Sequence, residues 1–165
     1  MIVMKENEFD SVRLSPDLAS PSAADLSHSN KFDGVRLSPH FMLREFLQLK
    51  RYPKNVPTTQ AVVNLTYGCL MLLEPARQIV GPVIVCSGFR CEEVNRRVGG
   101  VSRSQHLTGQ AADIRPQDPS QYPRLVEFLK ACEYTDQLLT GSTWLHVSWT
   151  PLGTPRHMIR IGYYK

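Results

Sequence analysis

Two apolar rhythms divide the chain. Between Phe41 and Leu49, and again between Val62 and Ile79, large apolar residues recur every three or four positions. That is the spacing of one buried helical face. Phe41, Leu43, Phe46, Leu47 and Leu49 predict an amphipathic helix ending near Tyr52-Pro53, with Ser38 as its N-cap and Pro39 in the first helical position. Val62, Leu65, Cys69, Leu72, Ala76 and Ile79 predict a longer helix opened by Thr58 or Thr59, which Pro75 should kink or divide. The polar faces of both carry no convergent chemistry, so both read as scaffold.

Past Gly81 the elements shorten. Pro82 to Cys86 is a β-branched strand, Glu92 to Val98 a short helix stopped by Gly99-Gly100, and Gln110 to Arg115 a second strand. Tyr122 to Cys132 is an amphipathic helix through Leu125, Val126, Phe128 and Leu129. Asp136–Thr140, Thr143–Thr150 and His157–Tyr164 read as closing antiparallel strands. Helices first and strands mostly last, with short connections, predict an α+β fold: one antiparallel sheet covered by helices.

Residues 1–31 follow neither rhythm. They are rich in Ser, Asp, Pro and Ala and are expected to be a flexible leader to a single domain over 32–165. Phe9 to Pro16, FDSVRLSP, is nearly repeated as FDGVRLSP from Phe32 to Pro39, a partial duplication of the leader with too few copies for a repeat fold. The N-terminus lacks the apolar core of a signal peptide, and no stretch reaches the ~18 apolar residues of a membrane span. Cytoplasmic synthesis as a soluble protein is therefore expected.

The net charge of +4 is compatible with anionic partners. Its Lys and Arg residues are scattered without aromatic interleaving, so nucleic acid is not expected. The four cysteines form no C-x-x-C pair, which removes zinc ribbons and thioredoxin-type redox motifs. Cys69 and Cys86 read as small core residues.

The chemistry concentrates between Cys86 and Arg115, CSGFRCEEVNRRVGGVSRSQHLTGQAADIR. His106 lies on a polar turn and Asp113 in an apolar strand, where an ionised carboxylate needs a partner or a metal. The strand WLHVSW brings a second histidine, His146, on a face opposite Leu145, Val147 and Trp149. Two histidines and one carboxylate suit a three-ligand zinc site with a fourth position open. Without metal, Asp113 would pair with Arg90 or Arg115. Gly109, Ala111 and Ala112 fit a crowded site where backbone approaches closely.

SGFR, VN, GG, SQHLTGQAADI, DQLL and WLHVS, in this order across roughly Leu37 to Thr150, resemble the zinc D-alanyl-D-alanine carboxypeptidases and related peptidoglycan endolysins. The resemblance implies a hedgehog/DD-peptidase-like fold, zinc held by His106, Asp113 and His146, and cleavage of wall peptide at a bond involving a D-amino acid. It makes Arg90 the residue that binds a substrate carboxylate or carbonyl oxygen and steadies transition-state charge. It matches Ser104 to a serine that hydrogen-bonds substrate, against the plainer reading of a turn-forming serine.

The general base is the departure. Many relatives carry Glu or Asp three residues before the last histidine, and here that position is Thr143. If 136–140 pairs with the His146 strand through a three-residue loop, Asp136 lies opposite His146. With a two-residue loop Gln137 takes that place. Glu133, His40 and His157 are the fallbacks. The expectation is thus a zinc metallopeptidase acting on peptidoglycan peptide as a monomer, with Asp136 as base and Gln137 in the cleft. Its action would lie in the periplasm or wall after phage-type release. The alternative is a weak or inactive zinc module, of the kind hedgehog-type domains exemplify, that binds wall or a protein partner.

Overall fold

The computed structural model describes residues 32–163. The first copy of the duplicated octapeptide and the rest of the leader lie outside them. The second copy enters the domain, burying Phe32 and Leu37.

The helix expected from Ser38 is replaced by a small antiparallel ribbon, β1 (Arg36–Ser38) and β2 (Phe41–Met42), followed by the 3₁₀ turn Leu43–Phe46. The cause is a distant competitor for the cap. The Ser38 hydroxyl donates to Glu74 Oε1 at 2.6 Å, and the His40 N–H donates to the same oxygen at 2.8 Å. A carboxylate thirty-six residues on holds both groups that a helix start would have used. Phe41, Leu43, Phe46, Leu47 and Leu49 are nonetheless all buried.

The long helix forms as expected. Thr58 caps α1 (Thr59–Gly68), its hydroxyl accepting from the Ala61 N–H at 3.1 Å. Pro75 has no N–H to give, and the chain meets this by widening to a π-turn over Cys69–Leu73 before α2 (Glu74–Val80).

The five-stranded sheet runs in the order β3-β4-β6-β5-β7, with β3 Val83–Ser87, β4 Ala111–Pro116, β5 Gln137–Thr140, β6 Leu145–Ser148 and β7 Met158–Arg160. Between them lie α3 (Glu92–Arg97) and α4 (Tyr122–Ala131). The expected pairing of the last strand also fails: β7 pairs with β5 in parallel, not antiparallel. The chain between β6 and β7 is brought back to the start of β5, where the Arg156 N–H bonds Asp136 Oδ1 (2.8 Å) and the Met158 N–H bonds Asp136 O (2.9 Å). It therefore leaves in the direction of β5.

One face of the sheet supplies Ala112, Ile114, Leu138, Leu145, Val147 and Trp149 to the same core as the helices. Trp149 lies so close over Gly68 that a Cβ there would come within 2.1 Å of the ring, and its Nε1–H donates to Asn64 O at 2.8 Å. The other face carries Asp113 and His146. All four cysteines are free thiols. Among the described residues no helix is long and apolar enough to cross a membrane.

Candidate metal centre

Register brings the site together. In the β4–β6 pairing Asp113 stands directly opposite His146, so their side chains leave the sheet on one face. His106 arrives on the 3₁₀ turn Gln105–Thr108, which Ser104 caps by accepting from the His106 N–H at 3.4 Å. Gly109 ends that turn with φ +70°, and a Cβ there would lie 2.4 Å from Ala61 O. The turn thus packs straight onto α1, and only glycine fits both the dihedral and the gap.

His106, Asp113 and His146 are all buried, and each turns one donor atom into a common space. His106 Nε2 is 3.2 Å from His146 Nδ1 and 3.3 Å from Asp113 Oδ1, and His146 Nδ1 is 3.0 Å from Asp113 Oδ1. Donors held tetrahedrally at zinc distances of ~2.0–2.1 Å lie about 3.3 Å apart. The three edges, 3.0–3.3 Å, come close to that tetrahedron, so the donor set fits the ion both in chemistry and in span.

Neighbouring groups decide which atoms face inward. His106 Nδ1 lies 2.6 Å from Gly88 O. A carbonyl only accepts, so Nδ1 carries the proton and Nε2 keeps its lone pair. Burial pushes the His106 pKa down and keeps the ring neutral, against the pull of Asp113. Burial also opposes the charge on Asp113, but the Arg90 guanidinium paired with it holds the carboxyl well below the usual carboxylate range.

Arg90, 8% exposed, donates from Nη2 to Asp113 Oδ2 and from Nε to Ser87 Oγ at 2.9 Å. Of the two pairings foreseen for Asp113, the structure takes Arg90. The ion pair and the ligand geometry coexist, because the arginine holds one carboxylate oxygen and the imidazoles face the other.

The candidates for base and substrate contacts lie differently. Leu139, not Asp136 or Gln137, stands opposite His146, because the β5–β6 turn spans the four residues 141–144. Thr143 is exposed on that turn. Gln137 donates to Met158 Sδ at 3.1 Å. Asp136 sits one residue before β5, buried, and both its oxygens are occupied. Oδ1 accepts from the Arg156 N–H (2.8 Å) and Nε (3.1 Å). Oδ2 accepts from Arg156 Nη2 (2.5 Å), Gln105 Nε2 (3.0 Å) and Ser148 Oγ (3.4 Å). Burial again opposes the charge, and Arg156 outweighs it, holding Asp136 far below the carboxylate range.

Such a carboxylate accepts a proton poorly, which is the physical objection to Asp136 as base. Of the fallbacks, Glu133 is exposed, His40 pairs with Glu74 at 2.8 Å, and His157 Nδ1 lies 3.3 Å from Thr135 O.

Sequence reasoning missed Arg156, Gln105 and Ser148. Gln105 and Ser148 lie inside the two histidine motifs, SQHLTGQAADI and WLHVS. Arg156 comes from a segment rich in Pro and Gly, and nothing local marks it.

A buried His-Asp-His set on one face of an α+β sheet, spaced for a tetrahedral ion, defines a metallopeptidase-type centre. Residues 39–148, well over half of the chain, match the Peptidase M15 family, and the chain belongs to that family of zinc-dependent peptidases. Its fold is the hedgehog/DD-peptidase-like one. No curated protein matches it.

Proposed function

We propose that this chain is a zinc metallopeptidase that hydrolyses bonds next to D-amino acids in peptidoglycan peptide, as a carboxypeptidase or as an endolysin. The observation that carries the reading is the triangle of His106 Nε2, Asp113 Oδ1 and His146 Nδ1, with edges of 3.0–3.3 Å, in a member of this family. Bound zinc supplies Lewis-acid chemistry there, polarising a carbonyl and acidifying a water.

The chain's residues do the rest. Gly88 O and Arg90 orient His106 and Asp113 as ligands. Arg90 Nη1, with no hydrogen-bond partner among the described residues, meets a substrate carboxylate or carbonyl oxygen. Ser104 hydrogen-bonds substrate at the mouth of the site. In this reading the protein acts as a monomer in the periplasm or wall after phage-type release.

Stripping zinc with a chelator should abolish product release from muropeptides, followed by mass spectrometry, and added zinc should restore it. Hydrolysis that survives complete demetallation sinks the mechanism.

A second reading has its own support. Leu139 faces His146, and among the described residues no carboxylate other than Asp113 joins the cluster. A zinc module that binds wall or a protein partner without cutting fits that arrangement. Retention on purified wall with muropeptides intact after long incubation selects it.

A further inference from the structure

We propose that Arg156, acting with Asp136 through Gln105, is a positioning residue for the metal centre that holds the His106 turn against the His146 strand. The proposal rests on the reading of His106 and His146 as metal ligands, and it gives Asp136 a place outside the bond-breaking chemistry.

The Gln105 amide is held at both ends. Its Oε1 accepts from Arg156 Nη2 at 2.8 Å, and its Nε2 donates to Asp136 Oδ2 at 3.0 Å. An amide between a guanidinium and a carboxylate has one orientation that satisfies both, so the side chain is fixed rather than free to flip. Gln105 is the residue before His106 and opens the turn that carries it. Its carbonyl also accepts from the Gln110 N–H at 2.9 Å, which closes the turn onto β4.

The other end of the network reaches the second histidine. Ser148 Oγ donates to Asp136 Oδ2, and Ser148 shares the site face of β6 with His146. The Asp136 N–H donates to Ser148 O at 2.8 Å as well. One carboxylate therefore bridges the element of each histidine, and Arg156 supplies the charge that lets it stay ionised while buried. Without Arg156 the carboxylate is left uncompensated, and Gln105 loses the partner of its Oε1 and keeps only its Nε2 bond to Asp136.

The full chain and its variants are compared for zinc affinity, by competition with a chromophoric chelator, and for the visible spectrum of the cobalt(II) form. Arg156→Gln and Gln105→Ala should each weaken zinc by ~10–100-fold, the usual effect of removing a group that orients a metal ligand. Both should shift the cobalt bands. Arg156→Lys, which keeps the charge but not the planar fork, should recover only part of the loss.

Gln105→Ala leaves the Asp136–Arg156 pair in place and decides the matter if Arg156→Gln does not fold. A wild-type chain that takes up no zinc overturns the metal-centre reading and this proposal with it. A wild-type chain that binds zinc, beside a Gln105→Ala variant within twofold of it and with unshifted bands, overturns this proposal alone.

Discussion

Asp113 and Asp136 are both buried, both held ionised, and both gripped by an arginine, yet only one is free to bind a metal. Arg90 takes a single oxygen of Asp113 and leaves Oδ1 facing two imidazoles at 3.0 and 3.3 Å. Arg156 takes both oxygens of Asp136, and Gln105 and Ser148 crowd the second. The number of lone pairs left over, not burial or charge, separates a ligand from a tie. Surroundings differ accordingly: the Arg90 side chain is 9% exposed and that of Arg156 is 53% exposed, so one pair is sealed and the other opens to water.

The sharpest way to break the contrast is Asp113→Ala. It removes the anionic donor and strands Arg90, so bound zinc should fall close to zero by metal analysis. Denaturant titration should show a loss of ~3–5 kcal/mol, the cost of orphaning a buried charge. Full zinc stoichiometry in this variant would mean that the ligands are misassigned.

Asp136→Asn should do less. Arg156 can turn to solvent, so about 1–2 kcal/mol of stability is expected to go. Turnover at saturating zinc should stay within severalfold of wild type. A fall of ~10²–10⁴ under those conditions would return Asp136 to the chemistry as a base.

Acid titration sharpens the same point. A carboxyl whose pKa is lower folded than unfolded adds stability above its unfolded value of ~4 and loses it as pH drops. Asp136 is such a group. Between pH ~4 and ~2 the wild-type denaturation midpoint should therefore fall more steeply than that of Asp136→Asn. Parallel curves would remove the ion pair from the account.

Arg97→Gln is the smallest test. Arg97 and Glu93 lie 3.7 Å apart on α3 with both side chains more than half exposed, and a change of no more than ~0.5 kcal/mol is expected.

What was legible follows the range of the forces involved. His146 and Asp113 stood out because a polar residue in an apolar strand is a local anomaly, and strand parity alone puts them on definite faces, whereas His106, on a polar turn, stood out only through its motif. The long helix was readable from its period, and so was the burial of Phe41 to Leu49. Its conformation was not, because Glu74 claims Ser38 and His40 from across the fold. Asp136 was misplaced for the same reason. Loop length set the β5–β6 register, and its partner Arg156 arrives from beyond β6. The parallel entry of β7 is another long-range result, invisible to any window of local pattern.

The strand order has a consequence for exchange. β4 and β6 are interior strands, flanked by β3 and β5, so the backbone amides around Asp113 and His146 are hydrogen-bonded within the middle of the sheet. Deuterium should enter there last, after the edges at β3 and β7, whether or not an ion is bound. Two of the three proposed ligands then ride on the part of the backbone that opens least often. His106, on the 3₁₀ turn Gln105–Thr108, is the one held outside the sheet. Ion uptake and loss should accordingly track the opening of residues 105–108, at rates far above those of global unfolding.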